Sequence, residues 1–281
     1  MGPLARGTAQ SRRVLYLLKI FTETFTISAS DRSTVNRRSV LGALCAGSAL
    51  PVIGYTTNRS GETVSLRYWM TERAAAYDGL EWRLRSLLHR CLGFDHWVLE
   101  LSGGGIVDVG TENAADAVTD GSWPRALLSG VVRANEIDPA WDVNLLVTDG
   151  PLETSPSGYG TAHVAAVPGA GRLAALESVP TPERLEPVTE STFAAQLVLH
   201  EVGHALGLDH TDGRRYDREN RSIVTPMLSL YGWHRPELLD AACRPTDAGA
   251  VDDGLIRRLD FSYSACARRA LRAYDGHHLS I

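Results

Sequence analysis

Residues 200–210 read "HEVGHALGLDH". His200 and His204 are four apart, so on a helix their imidazoles stand one turn apart on one face. At that spacing two ring nitrogens can meet one metal ion. Glu201 lies at the flank of that face. It is poorly placed as a ligand, but it can reach a water beside the metal and take its proton. Gly207 can adopt the left-handed turn that ends a helix, and His210 can then return to the metal from outside the helix. Three histidines leave the fourth position of tetrahedral zinc open, as in catalytic sites. Zinc lowers the pKa of water in such a position to about 7. A histidine-rich core helix is the plain alternative. It does not account for Gly207 and His210 at their offsets, and the whole pattern arises by chance on the order of one time in ten thousand.

A helix over about 190–206 must carry the motif. Phe193, Leu197, His200 and His204 fall on one side of it, and Ala195, Val198, Val202, Ala205 and Leu206 on the other. That pattern predicts an apolar back seated in a domain and a front presenting the histidines. Upstream, 64–70 alternates like a first strand, and Leu80, Leu84, Leu87, Leu88 and Cys91 mark a helix over 76–93 that closes with Gly93. Residues 96–102 read as a second strand before a glycine run, and 142–149 as a buried strand. Residues 158–169 read as a short strand between glycine turns. A short helix fits within 106–135, whereas 170–188, with three prolines, reads mostly as loop. Downstream, Leu255, Leu259 and Phe261 suggest a C-terminal helix, followed by an arginine-rich segment with a solvated face.

Composition bounds the rest. Seven of the 28 Lys/Arg and two of the 33 Asp/Glu lie in 1–54, leaving 21 against 31 in the remainder. An acidic body of this kind argues against nucleic-acid binding, which needs a basic footprint. Arg37 and Arg38 directly precede the small, apolar run 40–54, which resembles a twin-arginine export signal and is short for a membrane span. The expectation is an exported, extracellular or cell-surface protein, cleaved near 46–49 or held at the membrane through 40–54. Residues 1–54 then form the signal region and 55–281 the functional domain. Outside the cell, Cys243 and Cys266 could pair, while Cys91, inside a helical pattern, reads as a buried thiol. The acidic run 108–121 could offer oxygens to calcium, against the plainer reading of a solvated loop.

The motif as a whole resembles the zinc-binding consensus of the metzincin metallopeptidases, and "HALGLDHT", with Thr211 after the third histidine, is most similar to the matrixin branch. The resemblance implies an α+β fold: a mixed twisted sheet, an active-site helix, and zinc in a cleft above a methionine turn. It implies an upper part over about 62–207 and a lower part over 208–281. It assigns the Met-turn to Met227 in "IVTPMLSLYG", zinc to His200, His204 and His210, and the general base to Glu201. It implies a zinc-dependent endopeptidase acting on protein or peptide substrates, here taken as a monomer. The alternative is a non-catalytic zinc-binding surface domain of the same fold. "GTAHVAAVPG" resembles the family's substrate-binding edge strand, with His163 either on the rim or structural. The pattern is departed from in two places. Sixteen residues separate His210 from Met227 in a charged loop that either covers the cleft or does nothing. Ser229 stands where some branches carry a tyrosine ligand, and Tyr216 and Tyr231 are off that pattern.

Overall fold

The computed structural model describes residues 63–131, 133–152, 157–235, 238–239, 242–243 and 254–276, all within one unit, Arg59–His277. The export-signal reading of 36–55 and the anchoring run 40–54 lie outside the described residues. Among the described residues no helix is long and apolar enough to cross a membrane.

The upper layer is a five-stranded sheet in the order β2-β1-β3-β5-β4, comprising β1 (Thr63–Met70), β2 (Val98–Ile106), β3 (Val143–Val147), β4 (Tyr159–Thr161) and β5 (Val164–Val167). β4 alone runs antiparallel to its neighbour. Every residue of β3 and β5 is buried, as expected of parallel strands covered on both faces. One cover is α2 (Leu80–Leu92), which follows the short α1 (Glu72–Ala75) and buries Leu80, Leu84, Leu87, Leu88 and Cys91, the residues its periodicity marked.

The second strand runs on through Gly103–Gly105 to Ile106, where the sequence suggested a stop at 102. The cause is Trp69 on β1, because a Cβ at Gly104 would lie 2.2 Å from its indole. The glycines let the strand pass over that ring, which packs edge-on against Trp123 at 5.1 Å. Two helices, α3 (Ala114–Thr119) and α4 (Ser122–Val131), occupy the stretch where one was expected, and α5 (Ala170–Ala174) forms where loop was expected. The single strand expected over 158–169 is instead a hairpin of β4 and β5.

The helix predicted over 190–206 is α6 (Glu190–Ala205), opened by a capping box between Thr189 and Thr192. Its expected front-and-back pattern does not hold, since residues 194–203 are all buried. α6 packs under β4 and β5 and over a second sheet, so both faces are covered. Gln196 Nε2 donates to the backbone oxygens of Val224 (3.2 Å) and Asp260 (2.9 Å), and Tyr263 Oη donates to Leu199 O at 2.6 Å.

That second sheet has the order β6-β9-β8-β7, built from β6 (Glu186–Pro187), β7 (Arg215–Arg218), β8 (Arg221–Val224) and β9 (Ile256–Leu259). The charged stretch before Met227 is therefore a hairpin integral to the fold and not a loose loop. Arg215 is fully buried, and its Nε donates to Ser222 Oγ (3.0 Å), which also accepts from Trp233 Nε1 (3.0 Å) on α7 (Tyr231–His234). The expected helix around Leu255–Phe261 is strand β9. Leu259 ends that strand and Phe261 follows two residues on, both fully buried. The last helix, α8 (Ala265–Arg272), is tied down by a Cys243–Cys266 disulfide, and Cys91 is a buried free thiol.

Candidate metal centre

Gly207 ends the helix in the left-handed region, at φ 86°. Gly207 N donates to His204 O (3.0 Å) and Leu208 N to Gly203 O (2.9 Å), which satisfies the helix's last carbonyls and reverses the chain. Asp209 then caps a single 3₁₀ turn, His210–Asp212. Its carboxylate accepts from the Thr211 amide (2.6 Å) and the Thr211 hydroxyl. The third histidine thus swings back over the first two.

The ligand atoms of His200, His204 and His210 lie within 4.8 Å of one another. His204 Nε2 is 3.1 Å, and His210 Nε2 3.4 Å, from His200 Nε2. His200 Nδ1 stands 2.8 Å from Pro226 O and His204 Nδ1 2.8 Å from Leu208 O. A carbonyl only accepts, so each Nδ1 carries the proton and each Nε2 keeps its lone pair. Burial holds the His200 imidazole well below its ordinary pKa, lowers His204 to about 4, and lowers His210. His200 and His204 therefore aim lone pairs at one point, and His210 Nε2 joins them there. That arrangement is repulsive unless a cation sits there. Tetrahedral zinc at bonds of 2.0–2.1 Å needs nitrogens about 3.3 Å apart, so this donor set fits zinc. Among the described residues it is the only cluster of His, Cys, Asp or Glu so arranged.

Glu201 is only 5% exposed. Its carboxyl lies against β4: a Cβ on Gly158 would stand 2.8 Å from Oε1, and one on Gly160 2.9 Å from Oε2. Only glycine there lets the strand come so close. Burial alone raises the carboxyl to about 8, because taking it out of water disfavours the charged form. Beneath the helix, Met227 is fully buried, and a Cβ on Gly203 would meet its Sδ at 2.3 Å. The first glycine of the motif, Gly203, is thus where the methionine seats. Ser229 follows at φ 45° with its Oγ buried and unpaired, a strained backbone within two residues of the methionine.

Of the two roles open to His163 the structure shows the structural one, and Tyr231, off the family pattern, lies beside the imidazoles. His163 is buried and structural and does not lie on the rim. It takes φ 67°, its amide donates to Ala205 O (3.0 Å), and Asn144 N donates to its carbonyl (2.8 Å). It fastens the β4–β5 turn to the end of α6. The spacing of Tyr231 from Met227 fits no family pattern, yet the residue lies at the site. Its ring centroid lies 5.9 Å from that of His200 and 5.3 Å from that of His210. Burial and the nearby Glu201 carboxyl raise its phenol pKa. Only the strained turn at Ser229 brings it there, and no sequence spacing signals that turn. Tyr216 is turned away, donating to Asp260 Oδ2 at 2.9 Å.

Oxygens of the acidic run 108–121 are engaged by hydrogen bonds within the fold. Asp108 Oδ1 accepts from Gly110 N, Asn113 caps α3, and Glu112 Oε2 accepts from Thr71 Oγ1 and Asp149 N. Nothing in that geometry favours calcium.

No protein-family model matches the chain, and no curated protein matches it. Among solved structures it is similar to archaemetzincin from Methanopyrus kandleri, at 20% identity over 54% of this chain and 77% of that one, a loose superposition with a TM-score of 0.30.

Proposed function

We propose that the chain is a zinc-dependent endopeptidase of metzincin type. The observation that carries this reading is the convergence of three imidazoles beside the buried carboxyl of Glu201. Zinc held by His200, His204 and His210 would supply Lewis acidity, lowering the pKa of water and polarising a peptide carbonyl. Glu201 takes the proton of the attacking water and returns it to the leaving nitrogen. A buried carboxyl held beside the site suits both halves of that task. Tyr231, kept protonated by its surroundings, donates a hydrogen bond to the carbonyl oxygen as it gains charge. β4, at the end of its sheet, aligns an extended peptide by strand addition. Met227 underlies the helix as the Met-turn of the resemblance. The matrixin branch rests on Thr211 and "HALGLDHT" alone. Export by the twin-arginine route, anchoring through 40–54 and a monomeric state are part of the proposal and rest on the sequence.

The test is cleavage of denatured protein and of a broad peptide library by the purified chain. Cleavage should stop with a chelator and return with one equivalent of zinc. A chain that binds zinc and cuts nothing in the library would instead be the non-catalytic zinc-binding surface domain.

A further inference from the structure

The three ligands are not held alike. His200 and His204 stand on a helix buried on both faces, each with Nδ1 fixed by a backbone carbonyl. His210, partly buried as His204 is, stands on one isolated 3₁₀ turn. Beyond its own Asp209–Asp212 capping box, what ties that turn to the rest of the domain comes from far along the chain. Cys243 N donates to Gly213 O at 2.9 Å, and Ser264 Oγ donates to Asp212 O. Ser264 is the N-cap of α8, two residues before Cys266. The Cys243–Cys266 disulfide joins these two anchors, with Cα atoms 5.7 Å apart. Both of its arms therefore close on the consecutive carbonyls of Asp212 and Gly213, directly after the ligand turn. On the other side Gly213 is wedged against the methionine turn, where a Cβ would meet Leu228 N at 2.6 Å and Met227 C at 2.9 Å.

We propose that the Cys243–Cys266 disulfide is a positioning element of the metal centre. It clamps the His210 turn against the Met227 segment, and full zinc affinity depends on it. A covalent clamp matters here because a three-residue turn has no ladder of its own to resist fraying. The inference rests on the metal reading above, and its test separates the two.

Zinc affinity is measured by chelator competition at 25 °C for the full chain, the Cys243→Ala/Cys266→Ala variant, His210→Ala, and the triple variant. Circular dichroism confirms that each is folded. Removing the disulfide should weaken zinc binding by about 10–100-fold, the range for partners that orient a ligand. In the His210→Ala background the same removal should change nothing further. Ser264→Asp gives a second handle that keeps the disulfide and an acceptor for Ala267 N but cannot donate to Asp212 O. It should weaken zinc several-fold, and only when His210 is present. A folded disulfide-free chain with parental zinc affinity overturns the inference. So does an equal loss with and without His210, which would mean general loosening. If His210→Ala itself leaves zinc affinity at the parental value, the ligand set fails along with the inference.

Discussion

One added methyl group at residue 160 should open the site. Gly160 lies on β4 directly over α6, and a Cβ there would stand 2.4 Å from Glu201 O, 2.7 Å from His204 Cβ and 2.9 Å from Glu201 Oε2. Two of those three atoms, a helix carbonyl and a Cβ, cannot rotate aside. Ordinary contact needs about 3.5 Å, so β4 must lift by about 1 Å. Overpacking of this kind costs about 1–3 kcal/mol. For a domain of this size, a cost near 2 kcal/mol lowers Tm by about 4–8 °C. The functional loss should be larger, because a displacement of about 1 Å at the reacting centre costs about 100-fold in rate. Zinc affinity should stay within a few-fold of the parent, since none of its three ligands lies on β4. The assay compares Gly160→Ala with the parent by thermal unfolding, zinc competition and peptide cleavage. A variant with parental Tm and parental rate would show that the β4–α6 contact does not shape the site.

Other outcomes follow from the same geometry. Tyr231→Phe should keep zinc and lower the cleavage rate by about 100-fold, the usual cost of losing one donor to a developing oxyanion; an unchanged rate would reduce Tyr231 to packing against the imidazoles. Burial pushes the Cys91 thiol from 9.0 up to about 12. The unfolded chain therefore releases that proton first, and the thiol's contribution is complete below pH 9 and lost as pH rises toward 12. By pH 10 the loss is about 1.4 kcal/mol. Urea unfolding at pH 7 and pH 10 should show Cys91→Ala, whatever its cost at pH 7, losing less stability across that interval than the parent. Equal losses would contradict the assignment.

The sequence carried the site further than it carried the fold. The motif's spacing brought His200, His204, Glu201, Gly207 and His210 to notice because a helix turn and a glycine stop are local events. The helix α2 was legible for the same reason. What escaped was decided by distant partners. Residues 194–203 look amphipathic in isolation and are buried all round because a second sheet packs beneath them. That sheet was hidden because its strands are short and charged, with Arg215 Nε donating to Ser222 and Tyr216 to Asp260. Leu255, Leu259 and Phe261 fit two periods at once, and only pairing with β8 selects the strand. Tyr231 reaches the imidazoles through a strained backbone at Ser229, and His163 takes its structural place at a positive φ. Neither conformation is encoded by residue type.

Glu201→Gln tests the central claim most directly. The substitution keeps the shape of the side chain between α6 and β4 and removes only its ability to accept and return a proton. The account predicts one zinc per chain in parent and variant alike, with cleavage reduced by about 100–10,000-fold in the variant. A Glu201→Gln variant that retains its zinc and cleaves at the parental rate would contradict it.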